Sequence, residues 1–339
     1  MKTKLFVLAL LICSAMSCEK HDGSTKYDEP KTFEVRLKSI GEIDVTHSPL
    51  TRFTPDERDL YAVQIWTRHI TESNKDYYAY GLFDDLSNAK FDVTENYEYG
   101  IYVLLIENGK DQIYCDSLLV NDESYLGYGK PFYTNGRCTR ITNEFIMSNE
   151  IYFNNLRFNS GRGMRYQRPD GTENPQNLNV YYGEGVYLAE ADKTEISIYM
   201  KRMNYGLKVE IGDFFSEGIL KMVDSFHNIE HTFTPDNKVF ETICAAYSVD
   251  QWYQATSDVN STCTHGLDFS WTREDGSIVD WYAVNVSCHR LMWTNLSLNY
   301  PGDNEVLGKN YLELRYEDLP IEGEYKNYTY GDNLDDITW

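Results

Sequence analysis

Zinc-knuckle and redox spacing is absent from this chain. None of its seven cysteines forms a CxxC pair, which disfavours a small zinc site or a thioredoxin-type centre. No P-loop and no GxGxxG segment appears, so a phosphate-cradling glycine loop is unsupported. No GxSxG is present, which removes the usual signature of an α/β-hydrolase. Basic runs are also missing: 31 Lys and Arg stand against 53 Asp and Glu, a formal charge of −22. That surface would repel nucleic acid and anionic lipid headgroups, so no nucleic-acid partner is expected. Beyond the first residues no apolar run approaches the roughly 18 residues that a spanning helix needs. Helical periodicity is weak everywhere, with Phe240 to Gln254 the best short helix.

The start of the chain is different. Lys2 and Lys4 precede an apolar run from Leu5 to Ile12, then Ser14-Ala15-Met16-Ser17-Cys18. This order of charge, short apolar stretch and small residues predicts a secretory signal over residues 1–17. A cysteine at the cut resembles the lipobox of bacterial lipoproteins, with Ala15 where Leu is usual. The resemblance implies lipidation of Cys18 and anchoring to the outer membrane or cell surface. The alternative is an ordinary cleaved signal with an incidental cysteine. Cys115, Cys138, Cys244, Cys263 and Cys288 remain after Cys13 and Cys18. An odd number leaves at least one thiol unpaired within the chain. Cys115–Cys138 and Cys244–Cys263 are both open, as are buried free thiols.

Aromatics make up 14% of the chain, with 28 tyrosines, many alternating with polar residues. A half-buried tyrosine suits a strand, and so aromatic a chain is not expected to be disordered. Residues 19–31 are polar and read as a tether. Thr32 to Leu37 alternates as a strand, with Phe33, Val35 and Leu37 on one face. Further strands are expected at Leu60–Trp66, Tyr77–Phe83, Phe91–Val93 and Tyr99–Ile106. Asn108-Gly109 predicts a hairpin turn with a return strand over Ile113–Val120. Gly161, Gly163, Pro169, Gly171 and Pro175 make 158–179 the best domain boundary. Beyond it, strands are expected at Val180–Tyr182, Glu195–Met203, Leu207–Ile211, Met292–Leu298 and Tyr311–Tyr316. Glu274-Asp275-Gly276 joins a second hairpin, Phe269–Arg273 with Ile278–Val286. Frequent short strands between turns predict all-β sandwiches.

One motif carries the spelling of an enzyme. His227-Asn228-Ile229-Glu230-His231 is HxxEH, the order of inverzincin zinc proteases. That chemistry needs both histidines on one helix face with Glu230 as base. The flanking residues read as strand, which would turn Glu230 away from the histidines. Asp84-Asp85 and Asp335-Asp336 lack the spaced oxygens of a calcium loop. A glycosidase carboxylate pair cannot be chosen among so many acids. The chain is therefore not expected to be an enzyme, and no cofactor or metal is assigned.

Three segments carry a family resemblance: the N-terminal strand ending in Leu50-Thr51-Arg52, the stretch from Leu60-Tyr61-Ala62-Val63-Gln64-Ile65-Trp66 to Tyr97-Glu98-Tyr99-Gly100-Ile101-Tyr102-Val103, and Ile196–Val209 with Arg202 at its centre. With them the chain resembles the fimbrillin superfamily of Bacteroidales. The resemblance implies an all-β chain of two tandem antiparallel β-sandwich, transthyretin-like, Greek-key domains with few short helices. Its parts would be the signal (1–17), a lipidated tether with a removable first strand (18–52), an N-terminal sandwich (53–165) and a C-terminal sandwich (166–339). It also implies proteolysis between Arg52 and Phe53, displacement of the strand bearing Phe33, Val35 and Leu37, and completion of the groove by a strand from another subunit or another copy. The segment Tyr311–Tyr316 is a candidate donor. The implied role is a fimbrial structural, tip or anchor subunit. Arg52 read alone is equally an exposed arginine in a Pro-containing loop. The competing reading is a monomeric surface lipoprotein that binds host or bacterial glycans, with Trp66, Trp252 and Trp293 available for stacking.

Overall fold

A computed structural model describes residues 31–40, 57–113, 115–120, 123–132, 138–147, 165–190, 193–212, 218–224, 229–247, 249–255, 262–298 and 312–318. Strands dominate. The first five are β1 (Thr32–Ile40), β2 (Leu60–His69), β3 (Asp76–Phe83), β4 (Lys90–Thr94) and β5 (Tyr97–Ile106). A one-turn helix α1 (Gly109–Gln112) leads to β6 (Cys115–Val120) and β7 (Glu123–Tyr128). Then come β8 (Val180–Leu188), β9 (Glu195–Tyr199), β10 (Lys201–Arg202), β11 (Asn204–Ile211), β12 (Ile219–Asp224), β13 (Ile229–Phe233) and β14 (Val239–Ala245). Helix α2 (Val249–Gln254) precedes β15 (Thr262–Thr272), β16 (Ile278–His289), β17 (Met292–Leu298) and β18 (Leu312–Asp318).

The all-β expectation holds, and the sheets form two sandwich-like units. In the first, β10-β8-β5-β2-β3 packs against β4-β1-β9. The five-stranded sheet is buried on both faces. Tyr61, Val63, Ile65, Ile101, Val103 and Leu105 face the small sheet. Leu60, Ala62, Leu82, Leu104 and Ile106 face the other way, onto Ile113, Tyr128, Phe132, Tyr166 and Leu178. Burial on both faces is why β2 and β5 read as almost continuous apolar runs instead of alternating. In the second unit, β14-β11-β17-β18 faces β13-β12-β15-β16. Tyr205, Leu207, Val209 and Leu296 meet Leu220, Met222, Leu267 and Phe269 there. Pairing is mostly antiparallel, but β1–β9 and β11–β17 are parallel. The parallel pair β11–β17 brings Gly206 beside Trp293. A Cβ on Gly206 would stand 2.3 Å from the indole, so only glycine lets the ring lie against the strand.

Four sequence expectations change. Asn108-Gly109 does not turn a hairpin: β5 is already paired on both sides, with β2 and β8. Asn108 takes φ 51° and opens α1, and the strand after it pairs with β7. Phe240 to Gln254 is not one helix, since β14 occupies Val239–Ala245 and only Val249–Gln254 is helical. Glu195–Met203 is not one strand: β9 pairs with β1 and β10 with β8, and the change of sheets comes at Met203. The expected division at 165/166 therefore does not coincide with the change of sheets, because β8 to β10 return to the first unit after the Gly- and Pro-rich segment.

Candidate functional site

The site is the seam occupied by β1. Alternation of apolar and charged residues makes Thr32–Ile40 a strand with one buried face. Val35 is 0% and Leu37 3% exposed, Phe33 is half-buried, and Glu34, Arg36 and Lys38 point to solvent. On one side β1 runs antiparallel to β4, with Phe33 opposite Val93 and Val35 opposite Phe91. On the other it runs parallel to β9, with Leu37 opposite Ile196. Backbone bonds extend beyond the ladders: Leu37 N donates to Ala89 O at 3.0 Å, and Arg36 N to Thr194 O at 3.0 Å.

Among the described residues β4 and β9 pair with no common strand but β1. Taking β1 away would expose two sheet edges facing each other, over a trough lined by Phe91, Val93, Ile196 and Ile198. Burial of Val35 and Leu37 is worth about 3–6 kcal/mol together. The outward charges add little: Arg36–Glu34 spans 3.9 Å and Lys38–Glu195 3.8 Å, all well exposed. What holds β1 is thus backbone pairing plus the apolar side chains of Phe33, Val35 and Leu37, with a Thr32–Thr94 hydroxyl contact at 3.3 Å at its exposed start. Any strand with the same alternation satisfies those requirements. Sequence reasoning assigned Phe33, Val35 and Leu37 to this strand but missed the receiving residues. The alternation of Glu195–Tyr199 was the available signal, without its partner.

Cys18, Arg52 and Phe53 lie outside the described residues. Downstream of them the chain is clamped. Lys110 donates to Glu57 O at 2.5 Å and to Asp84 Oδ2 at 3.0 Å, and Asn108 N donates to Asp59 Oδ1 at 2.9 Å. Burial pushes the Asp84 carboxyl up, but hydrogen bonds from Lys110 and Asn143 outweigh it and hold the group below its ordinary value.

The HxxEH spelling does not make a zinc helix. His227 lies outside the described residues, and Ile229–Phe233 is strand β13, so Glu230 and His231 project from opposite faces. Glu230 pairs with Lys221 at 2.7 Å. His231 lies against Phe233 and Phe240, and burial lowers its pKa. Among the described residues no group of three His, Cys, Asp or Glu is arranged to hold a metal. The three tryptophans do not form a platform either. Trp66 sits edge-on to Tyr77, Trp293 covers Gly206, and Trp252 is 2% exposed beneath Tyr205. The candidate donor Tyr311–Tyr316 falls largely in β18, an edge strand paired antiparallel with β17. Among the described residues no helix is long and apolar enough to cross a membrane.

No family model and no curated protein matches the chain. Solved structures that it is similar to include fimbrial proteins, proteins described as adhesins, and one described as polysaccharide-binding, from Bacteroides, Parabacteroides and Porphyromonas. It is similar to the fimbrial anchor protein Mfa2 of Porphyromonas gingivalis, at 7% identity and TM-score 0.35, over 84% of this chain and 95% of that one. A fimbrial assembly protein of Parabacteroides distasonis matches at 8% identity and TM-score 0.30, over 86% and 97%. The tip fimbrial protein Mfa3 of P. gingivalis matches at 8% and 0.25, over 84% and 97%.

Proposed function

We propose that the chain is an exported fimbrial subunit, lipid-anchored through Cys18 at the outer membrane or cell surface, that assembles by strand exchange at the β1 seam. The observation that supports this is the position of β1. It is the middle strand of its sheet, and its loss would open two edges at once. A cut between Arg52 and Phe53 would sever β1 and the lipid from the body together. The released segment would then be held only by its backbone ladders, Val35, Leu37 and Phe33. A strand from another subunit, entering parallel to β9, would replace it. In the same reading β18, or an equivalent alternating strand, serves as donor after leaving β17.

The test is the N-terminus and intact mass of protein recovered from its native envelope. A body starting at Phe53, in assemblies that survive mild detergent, is the expected result for a polymerising subunit. A lipidated Cys18 still joined to residues 19–52 would remove strand exchange from this chain and leave an anchor role. A monomer with no lipid and an ordinary cleaved signal would overturn the proposal.

A further inference from the structure

The second core contains three cysteines that the seam does not use. Cys263 and Cys288 are opposite one another in the β15–β16 ladder. Cys288 is buried and Cys263 half-buried. Both point inward, because Leu267 and Phe269 on β15 and Val286 on β16 share their face and are buried. The register depends on an irregularity between Phe269 and Ser270. Counted straight from the turn, Cys263 would meet Ser287. The shift moves it to Cys288. Directly opposed residues of an antiparallel pair have Cα atoms about 4.5–5.5 Å apart, inside the window a disulfide accepts. Both cysteines are free thiols in this structure, directly opposed in the ladder and on the face that carries the buried core.

We propose that Cys263 and Cys288 are joined by a cross-strand disulfide in the exported protein, which staples the β15–β16 hairpin. The chemistry is thiol–disulfide exchange with an external disulfide, either a protein oxidant or glutathione disulfide. The Cys263 thiolate attacks it and expels one thiol. The Cys288 thiolate then attacks the mixed disulfide and expels the second. Two protein thiols lose two protons and two electrons, and the external disulfide is reduced to two thiols. Cys244 belongs to β14, in the facing sheet. Facing sheets stand about 10 Å apart, so its Cα lies beyond the span of an unstrained bridge. Burial raises the Cys263 and Cys244 thiols, so exchange in the folded core is slow and the link forms as the hairpin closes.

This inference rests on the exported reading, and one experiment separates the two. Protein from the native envelope is alkylated in denaturant, digested without reductant and mapped by mass. The expected result is a linked peptide pair containing Cys263 and Cys288, with Cys244 alkylated. Alkylation of both Cys263 and Cys288 in a chain that has lost residues 1–17 overturns the disulfide, as does a link through Cys244. A chain that keeps residues 1–17 counts against export instead. Refolding the full chain with glutathione disulfide then decides the geometry by the same mapping. Reduction should lower the melting midpoint of the linked protein by about 5–15 °C and leave a C263S/C288S variant unmoved. An unchanged midpoint in the linked protein overturns the stapling role.

Discussion

The β1 seam and the junction at Asn204 are both places where separate segments of this chain meet, and they are built oppositely. At the seam the contacts are mainly backbone ladders and the apolar side chains of Phe33, Val35 and Leu37, with one exposed Thr32–Thr94 hydroxyl contact. At the junction, where the chain passes from the first sheets to the second, the contacts are side-chain specific. Asn204 is fully buried. Its amide donates to Leu178 O at 2.6 Å and Cys244 O at 3.2 Å, and its oxygen accepts from Val180 N at 3.0 Å. Arg202 reaches Asn179 Oδ1 at 2.7 Å, and Arg290 donates to Arg202 O at 2.8 Å. A ladder with alternating apolar pockets accepts many strands. A satisfied polar network accepts one arrangement. In the proposed reading the molecule concentrates exchangeability in β1 and fixity at Asn204.

Breaking the fixed side should cost most. Asn204→Leu removes the donor to two buried carbonyls and the acceptor of two buried N–H groups, Val180 N and Arg202 Nε. About 3–5 kcal/mol of stability should disappear, measured by denaturant unfolding. A loss under about 1 kcal/mol would mean that water or a shifted backbone satisfies the same groups, and the contrast with the seam would fail.

Breaking the exchangeable side should cost less and stay local. Val35→Asp puts a charge into the trough, and about 3 kcal/mol of local stability should go. Hydrogen exchange should quicken in β4 and β9 while β11 to β17 keep their protection. A chain lacking residues 1–52 should behave like the variant. Loss of protection throughout both units would show that β1 is an integral part of the fold, not a replaceable one.

Gly206→Ala probes ordinary packing between these extremes. The added methyl meets the Trp293 ring, and repacking should cost about 1–3 kcal/mol without altering protection of the seam.

Much of this contrast was legible in the sequence, and the missing part was long-range pairing. Alternation located β1 and β15–β17, and apolar runs located β2 and β5, because burial of one or both faces leaves its period in the letters. Nothing local tells β5 that β8, some eighty residues on, will occupy its second edge. The turn signal at Asn108-Gly109 was accordingly overruled. The positive φ falls on the asparagine, and the chain leaves the sheet there. Pro and Gly in 158–179 carry no information about which strands pair, and the change of sheets comes later, at Met203. The opposition of Cys263 to Cys288 was one residue from legible: the hairpin could be read, its irregularity at Phe269 could not. Asn204 gave no signal, since a lone asparagine beside a glycine-containing strand looks like a turn residue.

The smallest effect is expected at the clamp of residues 57–59, and it sharpens where exchangeability would end. Asp84 accepts from Lys110 at 3.0 Å and from Asn143 at 2.7 Å, and Lys110 also holds Glu57 O. The folded protein holds the carboxyl below its ordinary value, so its contribution is full above the unfolded value of about 4. It is lost as pH falls through the depressed folded value. The groups are partly exposed, and the contribution is about 0.5 kcal/mol. Asp84→Asn should flatten the acid limb of the stability curve by that amount and speed proteolysis near residue 57 at neutral pH. If acidification frees residues 57–59 in the wild type but not β1, the clamp and the seam are independent. If both loosen together, the proposed exchangeable region would extend past residue 57 and into the body of the first unit.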